Sequence, residues 1–72
     1  MGHVRADELA LRREALGFTQ RELAIAFGVH YMTISKWERG LHHIPEMVDL
    51  ALKTLERRQQ ARPAAGAGEE GS

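Results

Sequence analysis

The chain has 72 residues, room for one small domain, and its ten basic and ten acidic side chains cancel to a formal net charge of zero. It has no cysteine, which excludes disulfides and cysteine-based zinc sites. No apolar run is long enough for a membrane span or a secretory signal, so the chain is expected in the cytoplasm.

The first helix is expected from about Arg5 to Leu16. Asp7 and Glu8 suit the positive end of its dipole, Leu9, Arg13 and Leu16 share one face, and Gly17 closes it. Thr19 and Glu22 then have the Thr-x-x-Glu spacing of a capping box, with Phe18 and Leu23 placed as a hydrophobic staple. Leu23, Ala24 and Phe27 give this second helix one apolar face, and Gly28 stops it. The third helix is expected from about Tyr31 to Arg39, ended by Gly40. After a short connection, Leu41-His42-His43-Ile44, Pro45 suits the first position of a last helix running to about Gln60. Its core stripe is Ile44, Val48, Ala51 and Leu55. The domain is thus expected over residues 1–60, followed from Ala61 by ARPAAGAGEEGS, a composition that cannot bury enough surface to order a chain. The expected core also takes in Leu9, Leu16, Phe18, Leu23, Ala24, Phe27, Val29, Ile34, Trp37 and Leu52.

Thr19 to Gly40 carries the functional signal. Two short helices joined at a Gly are the layout that puts a second helix into the DNA major groove. On that helix Ile34 and Trp37 fall together and point inward, so Trp37 reads as core and not as a base-stacking residue. Met32, Ser35, Lys36 and Arg39 share one outward sector, flanked near its start by Tyr31 and Thr33. A merely solvated helix more often interleaves Glu and Lys. Here the only acid is Glu38, off that sector and toward the core.

The set Arg13, Leu16-Gly17, Thr19-Gln20, Glu22-Leu23-Ala24, Phe27-Gly28-Val29, Thr33-Ile34-Ser35 and Trp37-Glu38-Arg39-Gly40 resembles the lambda/434 repressor-like family, and its Xre-type branch above all. The resemblance covers roughly Leu9 to Leu55 and implies an all-α, compact four- to five-helix domain. It implies base contacts by Tyr31, Met32, Ser35 and Lys36, and phosphate contacts by Gln20 and Arg39. Arg21 and Thr33, at the edges of the sector, and His42 and His43, in a loop that borders the DNA backbone in related folds, join the phosphate candidates. The resemblance also pairs Arg13 with Glu38. His30 stands where the family prefers a Ser or Thr cap, and the family's fifth helix is not distinct.

Several residues keep a second reading. Tyr31 can pack on the turn, Met32 can be plain surface or meet a thymine methyl, and His42-His43 without a third ligand is a poor metal motif. Zero net charge does not exclude DNA, because affinity follows the local distribution of charge and Arg21, Lys36 and Arg39 cluster near the reading face. Removing Glu69 and Glu70 of the tail already shifts the sum from 0 to +2. Met47, Leu50 and Thr54 form an apolar strip off the core stripe, which marks them as a candidate dimer interface. The expected function is a sequence-specific double-stranded DNA-binding regulator, a repressor acting as a homodimer on a palindromic operator and nucleoid-associated when bound. The alternative is the antitoxin of a toxin–antitoxin pair, with a toxin protein as partner. No nucleophile–base pair, carboxylate pair or metal cluster suggests an enzyme, and neither metal nor other cofactor is expected.

Overall fold

The computed structural model describes residues 3–61. Among them lie four helices and no strand: α1 (Ala6–Leu16), α2 (Gln20–Phe27), α3 (Tyr31–Glu38) and α4 (Met47–Ala61). Each helix sends one fully buried aliphatic side chain to a common centre: Leu9, Leu23, Ile34 and Leu52. Burying one such side chain stabilises the fold by about 1.5–3 kcal/mol. Leu16, Ala24, Trp37, Ile44 and Val48 extend the core, with Phe18, Phe27, Val29, Tyr31 and Leu55 packed on its edge.

The helix ends follow the sequence closely, with small shifts. Arg5 is the extended cap of α1 and not its first residue, and its N–H donates to the Glu8 carboxylate at 3.4 Å. Thr19 and Glu22 form the reciprocal capping box that opens α2: the Glu22 N–H donates to Thr19 Oγ1 at 3.0 Å, and the Thr19 N–H donates to Glu22 Oε1 at 2.8 Å. Arg39 caps α3 from just outside it. Pro45 does not occupy the first helical position of α4. The Val48 N–H donates to the Pro45 carbonyl at 3.0 Å and the Asp49 N–H to the Glu46 carbonyl at 3.2 Å, so Pro45 opens a tight turn that winds into the helix at Met47. Ala61, expected to begin the tail, is the last residue of α4. The rest of that tail, residues 62–72, lies outside the described residues.

Two core assignments change. Val4, in no periodic stripe, is buried ahead of α1. Ala51 is only half-buried, because it borders an open groove between α4 and the end of α2.

Within α1 only Leu9 and Leu16 are buried, a thin apolar face for a helix of three turns. Two adjacent arginines supply the rest of its attachment. Toward α4, Arg12 Nε and Nη2 donate to the two Glu56 carboxylate oxygens, both at 2.8 Å, and Nη1 donates to Asp49 Oδ1 at 2.9 Å. Its hydrogen bonds to Glu56, then those to Asp49, raise the Arg12 pKa against the opposing effect of burial. The same bonds lower both carboxyls; for Asp49, Lys53 adds to the effect. Toward α3, Arg13 Nε and Nη2 donate to the Glu38 carboxylate at 2.6 and 3.2 Å, and Nη1 donates to the Phe18 carbonyl at 2.9 Å. At the far end Gln59 Nε2 of α4 donates to the Leu16 carbonyl at 2.6 Å.

The Arg13 and Glu38 side chains are only 13% and 8% exposed, so removing either partner strands a charge out of water. Glu38→Gln or Arg13→Met is expected to cost about 3–5 kcal/mol, and the double variant less than the sum. Urea melts followed by Trp37, the single tryptophan, measure this; additive effects near zero would dismiss the pair as a structural tie.

Arg12→Met removes the guanidinium shared by the Glu8, Asp49 and Glu56 carboxylates and should cost about 2 kcal/mol. Acid tests the same network. The Asp49 and Glu56 carboxyls hold their charge to lower pH folded than unfolded, so their contribution is complete above the ordinary carboxylate range. It is lost as pH falls through the lower folded range. Melts across a pH series should show wild-type stability falling more steeply there than that of Arg12→Met; parallel profiles would sink the assignment.

Candidate nucleic-acid interface

The link between α2 and α3 is only Gly28 to His30. Gly28 takes the left-handed conformation (φ +73°), which lets its N–H reach the Ile25 carbonyl and the Val29 N–H reach that of Ala24. A Cβ there would meet nothing, so the demand for glycine is torsional and not steric. His30 then caps α3. Its backbone is extended, and Nδ1 accepts from the Met32 N–H at 3.1 Å, the role a Ser or Thr hydroxyl fills at such a position. At the other end the Leu41 N–H bonds back to the Lys36 carbonyl across Gly40, which closes α3 after little more than two turns.

Buried Ile34 and Trp37 fix which way α3 faces. Met32 is 39% exposed and Arg39 is exposed, while Ser35 and Lys36 are half-buried. All four lie on the side away from the core. The Tyr31 ring packs on the edge of the core and is half-exposed at the start of α3. The Arg21 guanidinium lies 4.4 Å above the ring centroid, and the His30 ring sits 4.9 Å away, inclined by 31°. The Thr33 N–H donates to the His30 carbonyl at 2.9 Å. Gln20 points its amide at the far end of α3, where Nε2 donates to Glu38 Oε1 at 2.9 Å. His42 and His43 are exposed beyond α3, with His43 5.0 Å from the His3 ring.

The charges are sorted in space. Glu8, Asp49 and Glu56 are drawn together by Arg12, with Lys53 on Asp49, and Glu38 is closed off by Arg13. Arg21, Lys36 and Arg39 make no ion pair among the described residues. A chain of zero net charge therefore leaves Arg21, Lys36 and Arg39 without ion-pair partners on the α2–α3 side among the described residues, while Arg12 gathers Glu8, Asp49 and Glu56 between α1 and α4. An α-helix fits the width of the major groove, and cations on its outer side suit phosphate and guanine.

Three contacts of this site have no periodic signal in the sequence: Arg21 over Tyr31, Gln20 on Glu38, and the imidazole cap of His30. Only the last had a pointer, a nitrogen acceptor at the N-cap position. The strip residues Met47, Leu50 and Thr54 are exposed on α4, and the Thr54 hydroxyl donates to the Leu50 carbonyl at 3.0 Å. Among the described residues no group of three or more His, Asp or Glu is arranged to hold a metal ion. No described helix is long and apolar enough to cross a membrane.

Residues 9–53, more than half of the chain, match the helix-turn-helix family model. No curated protein and no solved structure matches the chain. The match runs from Leu9 in α1 through the whole of α2, the turn and α3 to Lys53 in α4, so it covers the outward face together with most of what holds it. The chain belongs to the Xre/lambda-repressor-like helix-turn-helix family and is a DNA-binding transcriptional regulator.

Proposed function

We propose that the protein is a sequence-specific repressor that binds a palindromic operator as a homodimer. Tyr31, Met32, Ser35 and Lys36 contact base edges. Gln20, Arg21, Thr33, Arg39, His42 and His43 contact phosphates and set the register. The observation that carries this reading is that Lys36 and Arg39, which make no ion pair among the described residues, lie on the same side of α3 as Met32 and Ser35, with the one acid of the helix turned inward. Gln20 opens α2, the position from which it would meet a phosphate, and its amide is bonded to Glu38 at the end of α3. One reading helix specifies only a few base pairs, so two copies related by a two-fold axis, with helices about 34 Å apart, supply the rest. Met47, Leu50 and Thr54 form the dimer contact. Selection of sites from random duplex DNA tests the whole reading: it should return inverted half-sites one helical turn apart. A protein that co-purifies in fixed proportion, with weak DNA binding by the chain alone, would favour the antitoxin role instead.

Lys36→Ala should change the preference at one base position by about 1–3 kcal/mol. Arg39→Ala should weaken all sites alike and flatten the salt slope by about one unit. Binding titrations in which both substitutions are silent would remove α3 from the interface.

Arg21 has two roles that can be separated. Its charge meets phosphate, while its flat guanidinium holds the Tyr31 ring. Arg21→Lys should therefore keep the salt slope and relax the preference at the base read by Tyr31. If the preference survives unchanged, Arg21 is a phosphate contact only.

A further inference from the structure

We infer that His30 is a positioning residue for base reading that works only while its imidazole is uncharged, so that the protein discriminates its operator less well as pH falls. This rests on the base contacts proposed for Tyr31 and Met32 and adds to them the group that holds both and the charge state it needs.

The cap of α3 is a nitrogen lone pair. The Met32 N–H donates to His30 Nδ1 at 3.1 Å, so Nδ1 carries no proton and the ring proton sits on Nε2. A serine, threonine or asparagine oxygen in that place accepts whatever the pH. An imidazole accepts there only when neutral, because both nitrogens of an imidazolium are donors. Histidine is the side chain that makes this change between about pH 5 and 8. His30 is exposed, so a proton reaches the ring without unfolding of the domain.

The surroundings give the charged form no partner. From α2, the Arg21 guanidinium lies 4.4 Å from the centroid of the Tyr31 ring, and the His30 ring lies 4.9 Å from the same ring. The N-terminus of α3 adds the positive end of its dipole. The one acid of α2, Glu22, accepts from the Thr19 N–H at 2.8 Å. The one acid of α3, Glu38, is at the other end of the helix with Arg13 and Gln20. No carboxylate pairs with His30 among the described residues. Protonation therefore sets a cation beside a cation and leaves the Met32 N–H without its acceptor.

What is lost is local. Tyr31 and Met32 are the first two of the eight residues of α3. Ile34 and Trp37 stay buried in the core, so the helix remains docked and Lys36 and Arg39 remain for phosphate. Loss of the cap frees the two side chains that begin the base-reading set and leaves general attraction for DNA in place.

Affinities of the full-length chain for its selected duplex and for a scrambled duplex of equal length, at about pH 8 and about pH 5.5, test this in the wild type, His30→Asn and His30→Ala. On acidification the wild-type ratio of the two affinities should fall about five-fold, the usual size of one lost cap. It should stay high at both pH values in His30→Asn, whose amide oxygen accepts in either condition, and low at both in His30→Ala. His3, His42 and His43 are the same in all three chains, so the comparison isolates His30. Amide exchange in the free protein is the second readout: protection of the Met32 N–H should fall with pH in the wild type and persist in His30→Asn. A wild-type ratio that ignores pH, an equal fall in His30→Asn, or a high ratio in His30→Ala overturns the inference and leaves the base contacts standing. A chain that prefers no duplex at either pH overturns both.

Discussion

The Glu38 carboxylate is the point on which this small fold turns. It sits at the end of α3, receives Arg13 from α1 and Gln20 from the start of α2, and is almost closed to water. Three helices are thereby referred to one buried charge. The hydrophobic core alone does not set the angle of α3 so sharply, because α3 is short and inserts only Ile34 and Trp37. A buried ion pair is weak evidence of net stability, since desolvation offsets much of its attraction. Its value here is geometric. A bidentate arginine resists displacement of α3 in a way that aliphatic contacts do not.

The same economy governs the electrostatics. Ten positive and ten negative groups would, if scattered, give a surface with little attraction for DNA. Folding sorts them instead. Arg12 draws three carboxylates to the α1–α4 side, Arg13 neutralises the acid of α3, and Arg21, Lys36 and Arg39 are left facing outward. One ion-pair network therefore does two things. It attaches a helix with too narrow an apolar stripe, and it removes negative charge from the vicinity of the binding face.

The start of α3 shows how a departure from a familiar pattern is accommodated. A histidine at the cap position brings a ring where a small hydroxyl is usual. Its Nδ1 still meets the helix N–H, and its ring lies beside that of Tyr31, which in turn carries the Arg21 guanidinium. Tyr31, the first residue of α3, is thus held from two sides.

What the sequence determined by itself is what depends on near neighbours along the chain. The Thr19–Glu22 box, the glycine stops after each of the first three helices and the inward pairing of Ile34 with Trp37 all act within a turn or two, and periodicity exposes them. The family resemblance added the Arg13–Glu38 partnership, which no local rule supplies. The tertiary structure decided what crosses between helices: Arg12 on Asp49 and Glu56, Gln20 on Glu38, Arg21 over Tyr31, and the burial of Val4. These contacts join residues whose spacing along the chain carries no period, and a long flexible side chain can satisfy any of several partners until the backbone places one of them within reach. Pro45 illustrates the same limit. Its fixed φ suits both a first helical turn and the turn before it, and only the packing of Ile44 and Val48 into the core selects between them.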